Sequence, residues 1–368
     1  MDMNSLKAQN LLKIISLLRN HPDITRQELA REAGISMPTA LHMIEELSRK
    51  NLITETGENA STGGRRAKTF SLNPESGYGV GIQIARKYVE FVLVNLRGEV
   101  KEKVRYETSF SDQPAWYRKL GAKLIDLISQ ADVEEEKVIG VGISFPGIID
   151  LENSLILHSH VFSLQNVSLD RFYKCISYPL VIVNDANCAC YAEQSQREED
   201  FLYISLNESV GGAIMTENTL YTGKHWQAGE VGHVVLYPKG KSCYCGKEGC
   251  SDAYLSAGVL CEGHEDLDDF FAHLEKKDPQ AIQIWDTYLN DLAILVSNMR
   301  MLLDMDIVVG GDVGARMDAY VEDLAERIEE YDLFSRNVDY VRACRCKENI
   351  FSVGAALSAI DHFEYRLL

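Results

Sequence analysis

The sequence predicts an α/β protein in which an N-terminal winged helix-turn-helix precedes a larger α/β body. Three observations lead there. Apolar residues recur at helical spacing through the first fifty positions and are interrupted by a glycine turn. Two short β-type runs, 52–55 and 68–72, flank a polar, glycine-rich stretch. From about residue 80, runs rich in Val and Ile alternate with helical patterns.

Composition bounds the rest. At 368 residues the chain is too long for one ordinary domain, and a 46% hydrophobic content supplies a sizeable core. No apolar run approaches the ~18 residues of a membrane span, and the N-terminus lacks a secretory pattern, so a cytoplasmic protein with no membrane partner is expected. The net charge of −18 is unevenly spread. Residues 1–72 carry 10 Lys+Arg against 8 Asp+Glu, a balance of +2. The remainder carries 27 against 47, a balance of −20. The acidity belongs to the body, where it discourages non-specific adhesion to DNA. Nine cysteines make a disulfide framework improbable in a long chain without a signal. Three of them, Cys243, Cys245 and Cys250, cluster with metal-ligand spacing.

Leu11, Ile14, Ile15 and Leu18 mark a first helix over about 5–20. Thr25-Arg-Gln-Glu28 is a capping-box pattern that opens a second, which ends near Gly34. Ser36 then caps a third helix, with Pro38 in its first turn, running to about Lys50. Ile35, Ala40, Ile44 and Leu47 are expected in its core face. Ser36, Met37, Pro38, Thr39, Leu41 and His42 are left as candidate DNA contacts, the apolar ones against thymine methyl groups. The wing GENASTGGRRA carries Arg65 and Arg66, suited to a narrow minor groove. The winged helix-turn-helix is therefore assigned to 1–72, with a turn-rich linker at 73–79.

Strands are expected over about 80–85, 88–95 and 100–107, then a helix over 113–131, a buried strand at 138–144 and another at 180–183. The last ends at Asn184-Asp185, and a strand end is where open α/β folds place their chemistry.

Four segments, GVGISFPGIID at 140–150, VNDANCACYAE at 183–193, AGEVGH at 228–233 and CYCGKEGC at 243–250, give the body its resemblance to the ROK family of repressors and sugar kinases. It is most similar to the xylose-repressor and N-acetylglucosamine-repressor branch. That resemblance implies a two-lobed actin-like ATPase-domain fold: a first lobe at 80–195 completed by a C-terminal helix at 354–368, and a second at 196–353. It implies sugar contacts at Asn184, Asp185, Glu230, His233 and Asp252, with Gly147 allowing close approach, and Asp185 matches the base of the family's kinases. The family usually has Glu where this chain has Asp252. His233 with Cys243, Cys245 and Cys250 would close a tetrahedral shell around one structural Zn2+.

The kinase pattern is broken elsewhere. Where the family's kinases have Gly-Ile-Asp-Ile-Gly-Gly-Thr, this chain has Gly81-Ile-Gln83-Ile-Ala85-Arg86-Lys87, without the acid that organises magnesium. The second phosphate loop carries Glu208, which repels a triphosphate. Only Gly310-Gly311 survives of the nucleotide side. The expectation is a non-enzymatic, sugar-responsive DNA-binding regulator, a repressor acting as a homodimer or higher oligomer on operator DNA. Its effector is a monosaccharide or a sugar phosphate, with Arg86 and Lys87 either accepting the phosphate or standing as solvated turn residues. Two alternatives stay open: a kinase that retains activity, and a regulator controlled by a protein partner.

Overall fold

The computed structural model describes residues 6–21, 23–58, 68–194, 199–332, 334 and 337–368. The first helices are α1 (Leu6–Asn20), α2 (Arg26–Glu32) and α3 (Met37–Arg49). Thr25 and Glu28 form the capping box: the Glu28 amide donates to the Thr25 hydroxyl at 3.3 Å, and the Thr25 amide donates to the Glu28 carboxylate at 2.8 Å. Such a cap contributes about 1 kcal/mol. Gly34, at φ +66°, turns the chain, and Ser36 caps α3 by accepting the Thr39 amide. The wing sheet has one strand more than the sequence suggests. β1 (Ile24–Thr25) pairs with β3 (Lys68–Leu72), which pairs in turn with β2 (Ile53–Glu58). A two-residue strand is too short to show alternation.

The expected linker at 73–79 is shorter and is pinned. β4 begins at Tyr78, and Glu75 takes bonds from the Tyr78 hydroxyl at 2.8 Å and from the buried Asn95 amide at 3.0 Å. The winged domain is also continuous with the body. Leu11, Ile14 and Leu18 of α1 share one core with Val92, Val94, Leu96, Ile139, Leu357 and Ile360.

The first lobe contains β4 (Tyr78–Ile84), β5 (Tyr88–Asn95), β6 (Val100–Glu107), α4 (Pro114–Gln130) and β7 (Val138–Phe145). A small antiparallel sheet of β8 (Ile148–Asp150), β9 (Leu155–Ser159) and β10 (Leu164–Ser168) follows, then α5 (Asp170–Cys175), β11 (Leu180–Asn184) and α6 (Asp185–Gln194). Its main sheet has the order β11-β7-β4-β5-β6, with β11, β7 and β4 parallel. The second lobe repeats the plan with β12 (Phe201–Leu206), β13 (Val210–Thr216) and β14 (Thr219–Tyr221), then α7 (Asp252–Leu255), α8 (Ala257–Leu260), α9 (Leu267–Glu275) and α10 (Pro279–Leu303). β15 (Asp306–Gly310), α11 (Gly311–Gly314), α12 (Val321–Glu329) and β16 (Val341–Ala343) complete it, in the order β14-β13-β12-β15-β16.

The chain then returns to the first lobe as α13 (Ile350–Phe363), which starts four residues before the expected 354 and gives way to a 3-10 turn, Glu364–Leu367. It lies directly on β4 and β7. A Cβ at Gly81 would stand 1.7 Å from the Ser352 carbonyl oxygen, and one at Gly142 would stand 1.8 Å from that of Ala355. Only glycine permits that approach.

Candidate functional site

The parallel strands β7 and β11 end together at the cleft between the lobes, which is where such sheets leave backbone groups and helix N-termini free. Asn184 ends β11 and is held in place by its own side-chain bonds. Its side-chain amide donates to the Gly147 carbonyl at 2.8 Å, and its oxygen accepts the Ala186 amide at 2.8 Å, capping α6. Gly147 has φ +144°, and a Cβ there would lie 2.4 Å from the His158 carbonyl oxygen. Asp185 therefore stands at the first position of α6 rather than in a loop. Burial raises its carboxyl above the usual carboxylate range.

The second lobe faces it with Glu230, on the loop entering the 3-10 turn Val231–His233. Enclosure by the cleft walls, and then the neighbouring Asp185 carboxylate, raise Glu230 as well, although its side chain opens to solvent in the cleft. Gly147, Asn184, Asp185, Glu230 and His233 thus line one compartment of about 90 Å³. Its acceptors and amides can fix vicinal hydroxyls.

Asp252 is placed differently from the sequence expectation of a sugar contact. It starts α7, is 6% exposed, and its carboxylate accepts the Val210 amide at 2.7 Å, so it stands behind the compartment instead of lining it. The shorter Asp arm matches this inward bond. Conversely, the sequence reading missed His158, His160 and Tyr244, which do line the compartment. The His160 and Tyr244 rings stack with centroids 3.8 Å apart. The available signal for the two histidines was the His-Ser-His run at 158–160, at the end of β9 and in the turn just beyond it.

His233, Cys243, Cys245 and Cys250 converge, with one donor atom from each lying within 4.8 Å of all the others. The Cys243 sulfur is 3.8 Å from His233 Nδ1, and the Cys245 and Cys250 sulfurs are 3.7 Å apart. A tetrahedron with metal–sulfur bonds near ~2.3 Å has edges of about 3.8 Å, so the donor set fits a structural metal ion. Nδ1 faces the sulfurs, while Nε2 faces the Tyr244 hydroxyl at 3.4 Å.

On the other side of Asp185 lies a cavity of about 290 Å³ lined by Arg86, Lys87 and Glu208, positions that resemble phosphate loops. Arg86 does not face it as a free cation. Its guanidinium lies 3.2 Å from the Glu208 carboxylate across the lobes. The retained glycine pair is occupied too. The Gly311 amide donates to the buried Tyr203 hydroxyl at 3.1 Å, and the Asp312 amide to the Asn207 side chain at 2.8 Å. A Cβ at Gly310 would stand 1.9 Å from that hydroxyl, so Tyr203 fills the space beneath the loop.

At the other end of the molecule, α3 buries Ala40, Met43, Ile44 and Leu47. Ile35, expected in the core, is only partly buried. Ser36, Met37, Pro38 and His42 are exposed on one side of the helix start, with Thr39 and Leu41 half-buried at its edge. Arg65 and Arg66 lie outside the described residues. Among the described residues no helix is long and apolar enough to cross a membrane.

Two family models match the chain: the ROK family over residues 79–361 and a winged helix-turn-helix DNA-binding model over residues 8–54. A xylose repressor of Bacillus subtilis is 27% identical over 263 residues, covering 69% of this chain and 67% of that protein. The DNA-binding transcriptional dual regulator NagC of Escherichia coli is 22% identical over 264 residues, covering 70% and 65%. Among solved structures, a ROK family transcriptional regulator described as a homolog of the E. coli MLC protein superposes with a TM-score of 0.80 at 22% identity, covering 98% of both chains. A ROK hexokinase from Thermus thermophilus gives 0.66 at 23% identity over 78% of this chain and 99% of its own. These structural likenesses establish the fold.

Proposed function

Because the chain belongs to the ROK family and carries a winged helix-turn-helix ahead of that domain, we propose that it is a cytoplasmic, sugar-responsive DNA-binding repressor whose body senses its ligand without phosphorylating it. One observation carries the reading: the core of the DNA-binding domain continues into the lobe that holds Asp185. A change at the cleft is therefore transmitted through packed side chains rather than across a loose tether.

Carbohydrate binds at Gly147, Asn184, Asp185, Glu230 and His233, and closing the lobes on it alters the pose of α3. A ligand shifts that equilibrium only by its differential affinity for the two states. His233, Cys243, Cys245 and Cys250 hold one structural Zn2+, and a closed shell of four protein ligands gives the ion a structural role. That site fixes the turn carrying Glu230 and His233. The protein acts as a homodimer on an inverted repeat, as helix-turn-helix readers commonly do. The Arg86–Glu208 pair supports a sensor over a kinase, since a carboxylate and its partner guanidinium stand where phosphate would have to enter.

The test is fluorescence anisotropy on duplexes selected from a random pool, titrated with neutral sugars, with sedimentation to give the bound stoichiometry. Selection of an inverted repeat, two chains per duplex and sugar-dependent release are expected. Failure to enrich any duplex sequence would overturn the reading.

A further inference from the structure

Past Asn184 and Glu230 the cleft opens into a second compartment. It measures about 200 Å³ against about 90 Å³ for the hydroxyl-reading one, and the two share Gly147, Asn184 and Glu230 as a common wall. Their linings differ. The larger one is sided by Trp226, Tyr191 and Leu220, with Thr222, Ser358 and Asp361 as polar groups among them. Trp226 has φ +58°, a backbone conformation uncommon for a bulky residue and one that the surrounding structure must hold. Its loop is closed by the Ala228 amide donating to the Thr222 carbonyl at 3.2 Å and is flanked by Gly223 and Gly229, both at positive φ. A flat indole beside hydroxyl and carboxylate groups suits a second ring with one apolar face and a polar rim.

We propose that the effector is a two-unit carbohydrate, a disaccharide or a glycoside with a ring-sized aglycone. One sugar sits on Asp185, Glu230 and His233, and its second ring lies against Trp226. This rests on the sugar-sensing reading above. A monosaccharide fills only the smaller compartment. The second ring reaches α13 at Ser358 and Asp361, and Asp361 lies 3.1 Å from Arg19 in the last turn of α1, whose other guanidinium nitrogen is 2.7 Å from Glu364. Occupancy of the larger compartment therefore touches the helix to which the DNA-binding domain is ion-paired.

Calorimetry on the full-length protein tests this with matched probes: glucose, xylose and N-acetylglucosamine, each beside its disaccharide and its 4-nitrophenyl glycoside. One pair is expected to show at least tenfold tighter binding of the two-ring member. Trp226→Ala should remove that advantage and leave the monosaccharide affinity within twofold. Thr222→Trp, which fills the compartment, should do the same, so a folding defect in one variant does not decide the outcome. Equal affinity for one- and two-ring probes in the wild type, or a variant that weakens both equally, overturns the two-unit effector and leaves sugar sensing standing. Binding of no carbohydrate of either size overturns both.

Discussion

The Arg86 guanidinium of the first lobe lies 3.2 Å from the Glu208 carboxylate of the second. Two positions that resemble phosphate loops of a kinase are thus joined to each other. Both side chains are more than half exposed, so the pair contributes about 0–1 kcal/mol to stability. Its consequence is functional: the cation that would meet a phosphate already has a partner.

The expected consequence is the absence of phosphoryl transfer. ADP release from ATP with a panel of hexoses should stay at buffer background for the wild type and for Glu208→Ala. The latter frees Arg86 but restores no acid at Gln83. Sugar-dependent ADP release by the wild type would return the protein to the kinases.

Metal content should be about one zinc per chain in freshly purified, reduced protein. Cys250 is fully buried, so Cys250→Ser should bring the stoichiometry close to zero and lower the melting temperature together with sugar affinity. Full sugar affinity in metal-free protein would separate the cluster from the cleft.

The exposed start of α3 should carry sequence discrimination. Replacing His42 with Ala is expected to cost about 1–3 kcal/mol of operator affinity while leaving stability nearly unchanged. Replacing Arg65 and Arg66 together with Ala should weaken all duplexes alike and flatten the log–log salt slope by about two, through lost counterion release. An unaltered slope would take the wing tip off the DNA.

Asp185 should trade stability for binding. Its folded-state pKa is raised by burial, so the folded protein binds the proton more tightly than the unfolded chain does. Its contribution is therefore fully present below the unfolded value, near ~3.9, and is lost as pH rises through the raised folded one. At neutral pH, Asp185→Asn should stabilise the protein by ~1 kcal/mol, because the amide oxygen can still accept the Ala186 amide without a half-buried charge. Sugar affinity should fall in the same variant. In the wild type it should rise as pH climbs through the raised values of Asp185 and Glu230, because ionised carboxylates accept hydroxyl protons. A variant that is both less stable and unchanged in binding would remove Asp185 from the site.

The sequence alone determined the local elements and the donor chemistry. Thr25–Glu28 and Ser36 announce helix starts because capping acts over three residues, and Gly34 announces a turn because left-handed backbone is cheap only for glycine. Cys243, Cys245 and Cys250 are legible for the same reason: most of the candidate metal-ligand set lies in one short loop. What depends on distant segments meeting was decided by the tertiary structure. Asp252 was legible as a carboxylate near the cleft, but the Val210 amide, 42 residues away, turns it inward. Arg86 was legible as a cation, and Glu208 from the opposite lobe claims it. The linker reads as turn-rich, yet Asn95 of β5 pins it by donating to Glu75, and α1 shares one core with β5 and α13. Periodicity and capping report forces that act within a few residues. Which buried polar group finds which partner is set by the closure of long loops, and no short-range pattern records it.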